Sequence, residues 1–155
     1  MDNISTTTND LNNTLTYNTL GNSFIPFYTQ EIKGYKEFKK LVEKIERRIR
    51  SSSSYSQYIK LVRSSTEYNM CQVLSNIPDG AKYGLECHHY PFNLFQIVQT
   101  VIIDKFIKKI PFSTFNITSE VLQLHFKNMI GLVSLSTTVH ELAHDGLFLP
   151  ITMVY

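Results

Sequence analysis

Two stretches decide how this chain is read: Leu85-Glu86-Cys87-His88-His89-Tyr90-Pro91 and Leu132-Val133-Ser134-Leu135-Ser136-Thr137-Thr138-Val139-His140-Glu141-Leu142-Ala143-His144-Asp145-Gly146. Four of the five histidines lie in them. His140 and His144 are four residues apart, so on a helix they share one face and can grip one metal ion. His88 and His89 are adjacent, so on an extended segment they point to opposite sides. One can then join the metal while the other reaches toward substrate.

The elements around these stretches follow from periodicity and turn chemistry. Tyr83 to His89 reads as a strand stopped by Pro91, and Ile130 to Leu135 as a second strand. Ser136, Thr137 or Thr138 caps the short helix holding His140 and His144, and Gly146 ends it. Between the strands, Phe92 to Lys108 predicts a helix ended by Pro111. Thr118 to Lys127 predicts another, with Thr118 as N-cap. Upstream, Tyr35, Phe38, Val42, Ile45 and Ile49 form one apolar stripe on a helix over Tyr35 to Arg50. The serine run 51–54 breaks that helix. Tyr55 to Arg63 follows as a second helix with Tyr55, Tyr58, Ile59 and Val62 inward, giving a helical hairpin. Met70 to Leu74 predicts a short strand before a Pro-Asp-Gly turn, and Leu147 to Val154 a last extended segment. Residues 1–22 are rich in Asn, Thr and Ser and read as a flexible polar tail, a candidate docking arm that orders on a protein partner. The apolar patch Phe24 to Tyr28 could pin that tail to the body.

At 155 residues the chain is about one domain long, and nine Tyr and ten Phe give it material for a core. The net charge of +2 says little, but its distribution says more. From Glu31 to Arg63 ten Lys and Arg face four Asp and Glu, while the rest of the chain is slightly acidic. A basic segment beside a histidine cluster suggests a phosphate-rich partner. Cys71 and Cys87 make neither a disulfide framework nor a Cys-x-x-Cys clip. The polar N-terminus lacks the basic start and apolar run of a secretory signal. The longest apolar stretch, near 94–107, is interrupted by Gln96, Gln99, Asp104 and Lys105, so no membrane span is expected.

A His-His pair at a strand end, followed by a later strand that runs into a helix as Leu-x-x-Leu-x-x-x-x-His-x-x-x-His-x-Gly, resembles the His-Asn-His (HNH) nuclease family. The stretch Glu86 to Phe92 is similar to that of the small HNH proteins of tailed bacteriophages. The resemblance covers roughly residues 45–150. It implies an α+β fold: a basic helical hairpin at 23–66, then a ββα-metal domain at 67–155 with a helical insertion at 92–127. It assigns His88, His140 and His144 to one divalent ion (Mg, Mn or Zn), and His89 to the role of general base in metal-dependent hydrolysis of DNA. Glu86 or a backbone carbonyl is the candidate for orienting the base. The family's middle Asn falls on Gly131, nine residues before His140, with Asn128 as the candidate substitute. Lys36, Lys39, Lys40, Lys44, Arg47, Arg48, Arg50, Lys60 and Arg63 are the expected DNA-backbone contacts. The expected location is the cytoplasm of an infected bacterial host, or the virion.

Two other readings use the same letters. A degenerate finger would bind DNA or another protein without cleaving anything. His140-Glu141-Leu142-Ala143-His144 also matches the zinc-peptidase pattern His-Glu-x-x-His, with Glu141 as base. The early Gly146, the absence of a His or Glu after Asp145, and the unexplained pair His88-His89 argue against the peptidase.

Overall fold

A computed structural model describes residues 26–27, 32–65, 68–75, 77–78, 80 and 84–146. The polar tail, most of the Phe24 to Tyr28 patch and the segment after Gly146 lie outside the described residues. The fold is α+β. In chain order the elements are β1 (Pro26–Phe27), α1 (Tyr35–Arg50), α2 (Ser53–Ser64), β2 (Leu85–His89), α3 (Leu94–Ile107), β3 (Phe112–Ser113), α4 (Thr114–Phe126), β4 (Leu132–Ser136) and α5 (Thr137–His144).

The helices form because apolar residues recur every three or four positions. On α1, Leu41, Val42, Ile45 and Ile49 are buried. They pack with Leu94, Val98, Val101 and Ile102 of α3 and with Ile117 and Val121 of α4 in one continuous core. Tyr35, expected to belong to this stripe, is instead exposed at the first turn of α1. The hairpin joint is built as the serines imply: Ser52 Oγ accepts from Tyr55 N–H at 3.1 Å and opens α2. Helix α3 opens with a capping box between Asn93 and Gln96. Helix α4 begins four residues before the expected start. Ser113, not Thr118, is its N-cap and accepts from Asn116 N–H, and Thr118 is buried within the helix.

Strands β2 and β4 pair antiparallel, with His88 opposite Val133 and His89 opposite Leu132. Helix α5 leaves the end of β4 and packs back on both strands. The result is a ββα unit into which α3, β3 and α4 are inserted. Strand alternation gives its sheet two distinct faces. Val133 and Leu135, opposite His88 and Glu86, join Val139 of α5 in one buried cluster. Leu132, opposite His89, joins Tyr58 and Tyr68 in another. The expected strand at Met70 to Leu74 does not form. Met70 makes a single bridge to Pro78, and the following turn directs Leu74 N–H onto Cys71 Sγ. This segment has another use: Gln72 exchanges hydrogen bonds with Ser134, N–H to carbonyl at 2.8 Å and Oε1 from N–H at 2.7 Å. The outer edge of β4 is thereby covered.

Candidate metal centre and histidine pair

The period-2 alternation of β2 puts Glu86 and His88 on the face covered by α5. The four-residue spacing on α5 puts His140 and His144 on one side of that helix. The ring nitrogens available on His88, His140 and His144 all lie within 4.8 Å of one another. His140 Nε2 and His144 Nε2 are 3.2 Å apart. Four imidazole-type donors around a tetrahedral ion bound at 2.0–2.1 Å stand about 3.3 Å apart, so modest rotamer changes would bring all three onto one ion. The donor set therefore fits a divalent metal. Three imidazoles suit zinc and similar transition ions better than magnesium, which prefers oxygen ligands.

Glu86 holds His140, not His89. Its Oε2 accepts from His140 Nδ1–H at 2.7 Å, leaving Nε2 turned into the cluster. A carboxylate behind a ligating imidazole fixes its tautomer and raises its basicity. The expectation that Glu86 orients the base is corrected by strand geometry, because Glu86 and His89 are on opposite faces of β2. Glu86→Gln is expected to weaken zinc binding about 10- to 100-fold by competition titration. Unchanged affinity would show that the contact is incidental.

His89 is buried on the other face. Its Nε2 lies 3.0 Å from Nε2 of His125, a residue of α4 that is completely buried. His125 Nδ1 lies 2.7 Å from the Val121 carbonyl, which can only accept. The protons follow by elimination. His125 carries its hydrogen on Nδ1, so its bare Nε2 accepts from His89 Nε2–H, and His89 Nδ1 is left unprotonated. Tyr55 stacks on His89, and Tyr55 and Tyr58 meet His125 edge-on. A lone histidine is ordinarily a satisfied polar residue. His125 is one, and it is also the partner of His89. The available signal was a lone histidine on the apolar side of a helix.

Burial, reinforced by His125, Arg50 and His88, pushes His89 down to about 3. Burial, with help from His140 and His144, pushes His88 to about 4. Burial also lowers His125 and His140, for His140 against the pull of Glu86. Neutral imidazoles are the form that binds metal and accepts protons. Folded values below the unfolded value of about 6.5 mean that the unfolded chain takes up protons the folded one refuses. The metal-free protein therefore loses stability as pH falls from about 6.5 toward about 3. On the His89 shift alone, the loss by pH 4 is on the order of a few kcal/mol. It should appear as a falling urea midpoint, and the fall should be smaller in His89→Gln. A midpoint flat from pH 7 to 4 would contradict a neutral, buried pair.

A cavity of about 390 Å³ joins the two groups. Residues 86–89 of β2 all line it, so it runs along the strand edge that β4 does not occupy. His140 and His144 stand on one side, and Tyr55, Ile59 and Asn93 on others. Arg50 and Arg63 supply its positive charge. Arg63 is anchored by donating from Nη2 to the Leu85 carbonyl, and Arg50 by two bonds to Glu46 Oε1. Arg50 also borders a neighbouring groove lined by Lys44, Arg47 and Arg48. Of the nine basic residues singled out from the sequence, Lys36, Lys39, Lys40 and Lys60 line neither, because they occupy other faces of α1 and α2.

Asn128 does not serve the site. It is an exposed residue with φ 54° in the turn that closes α4, its N–H bonded to the His125 carbonyl, and it does not line the cavity. Gly131 makes a backbone contact: its carbonyl accepts from Tyr90 N–H at 3.0 Å, immediately after His89. Glu141 is exposed and away from the cavity lining. Among the described residues no helix is long and apolar enough to cross a membrane.

No curated protein and no solved structure matches the chain. Its sequence does match, over residues 1–155, the family described as Bacteriophage G278-like virion protein. The chain belongs to that family and is a phage protein associated with the virion.

Proposed function

We propose that this virion protein is a metal-dependent endonuclease of the HNH type, hydrolysing DNA phosphodiester bonds. The observation that carries the reading is the placement of two differently equipped histidine sets on one arginine-rimmed cavity. One is a three-imidazole cluster with a carboxylate behind it, and the other is a neutral histidine held on the opposite face of the same strand.

In this reading His88, His140 and His144 hold one divalent ion. Bound there, it would supply Lewis-acid stabilisation of the charge that builds on the phosphate and the leaving 3′-oxygen. His89 takes the proton from the attacking water. Glu86 keeps His140 in the tautomer that ligates. Arg50 and Arg63 bind the phosphates flanking the scissile bond, and Lys44, Arg47 and Arg48 extend the contact along the backbone. The Gly131 carbonyl tethers the backbone just after His89, the task that the family's Asn performs in the resemblance. This is the support for catalysis without that Asn.

The test is to incubate the metal-loaded protein with an end-labelled duplex and read the product ends. Attack that expels the 3′-oxygen gives 5′-phosphate and 3′-hydroxyl termini, and other ends contradict the assignment. Binding to an uncleavable duplex should weaken with salt, with a log–log slope of about −4 to −5 if Lys44, Arg47, Arg48, Arg50 and Arg63 each neutralise one phosphate. A slope near zero would remove DNA as the partner.

A second reading is favoured by the virion family and by Gly131 at the Asn position: a metal-stapled module of the phage particle that binds DNA or protein without cutting. It predicts bound metal and no cleaved ends. The peptidase reading has less support, since Glu141 does not face the cavity.

A further inference from the structure

The inserted helix α4 brings His125 to His89 across 36 residues of sequence. The link between them is directional. The Val121 carbonyl accepts the Nδ1 hydrogen of His125, which makes His125 Nε2 an acceptor and His89 Nε2 a donor. His125 is completely buried and does not line the cavity, whereas His89 does. Tyr55 and Tyr58 of α2 press on the His125 ring, and Tyr55 stacks on His89, so neither imidazole is free to flip at low cost.

We infer that His125 is a positioning residue: through the relay Val121 carbonyl, His125, His89 it fixes His89 as the Nε2–H tautomer and leaves His89 Nδ1 as the atom that takes the proton from water. The inference rests on the nuclease reading for its catalytic part. Its structural part, the tautomer, stands alone. No net proton movement occurs in the resting relay. In the reaction one proton passes from water to His89 Nδ1, and the positive charge that appears on His89 is stabilised by the hydrogen bond to the neutral His125 Nε2. The insertion between β2 and β4 thus supplies a part of the site as well as a packing layer.

The experiment uses the full chain labelled with ¹⁵N-histidine. In the metal-free wild type the His89 imidazole should show a protonated Nε2 and a bare Nδ1. A protonated Nδ1 on His89 would overturn the inference whatever the enzyme does. His125→Leu removes the acceptor, and His125→Gln keeps an oxygen at a similar reach. The Leu variant should show mixed His89 tautomers. Its kcat should fall about 10- to 100-fold with KM unchanged, and the Gln variant should recover most of the rate. If wild type cleaves and His125→Leu folds with an unaltered tautomer or rate, the positioning role is wrong and the nuclease reading survives. If His125→Leu does not fold, the wild-type spectrum and the Gln variant decide. If wild type does not cleave, the nuclease reading falls and takes the catalytic part with it. The tautomer is then judged on the wild-type spectrum alone.

Discussion

Replacing His89 by Ala is expected to lower the cleavage rate about 10²- to 10⁴-fold while leaving metal binding intact. The size is that of removing a positioned general base. The separation of the two effects follows from strand alternation. His89 is on the face of β2 that meets Tyr58 and His125, and His88 is on the face that meets α5, so the ligand cluster does not depend on the His89 ring. The substitution also leaves His125 Nε2 without its donor in a buried place, at a cost of about 1–3 kcal/mol in stability. His89→Gln, which retains an N–H donor at similar reach, controls for that loss. Both variants should retain one equivalent of zinc and lose cleavage. Zinc loss in both would place His89 among the ligands and contradict the division of labour between the two neighbours.

The second large effect concerns the ion itself. An ion held only by the folded chain stabilises it through mass action, by about 2.7 kcal/mol at a free concentration one hundred times Kd. For a chain of this length that raises Tm by about 5–10 °C. His140→Ala should abolish the rise and the activity together, since it removes one of the three proposed ligands and leaves Glu86 with no imidazole to orient. His140 sits one turn from the end of a short surface helix and is not part of the apolar core, so the metal-free fold should persist with little change. Zinc should produce a larger shift than magnesium at equal concentration, as the nitrogen donor set demands. Equal shifts in wild type and His140→Ala would place the stabilising ion elsewhere.

Much of this arrangement was legible in the sequence because it depends on local periods. A four-residue spacing makes a shared helix face, and a one-residue spacing makes opposite strand faces. These two rules put His140 beside His144 and send His88 and His89 to opposite faces. The grouping of His88 with His140 and His144 was implied by the family resemblance and is made by the β2–β4 pairing. The same period-2 rule places Glu86 on the face of His88 and away from His89, so its separation from His89 could have been read as well. What could not be read depends on packing between distant segments. His125 matters only because its ring reaches His89 from 36 residues away in sequence, and no local pattern encodes that contact. The α4 start was missed because Ser113 and Thr118 are both acceptable caps by composition. The choice is made by burial, with Thr114, Ile117 and Thr118 all packed inward. The segment after Met70 has strand composition, yet its backbone groups go to Cys71 Sγ and to Ser134, uses that composition does not reveal. The contact of the Gly131 carbonyl with Tyr90 N–H was not legible either, because every residue carries a carbonyl.

The most direct measurement is nicking of supercoiled plasmid by the purified wild-type chain with zinc or manganese, against the same protein in excess chelator. The account predicts metal-dependent conversion to open-circular or linear DNA, with none in chelator. Protein that holds one ion per chain and leaves the plasmid intact with every divalent metal would contradict it.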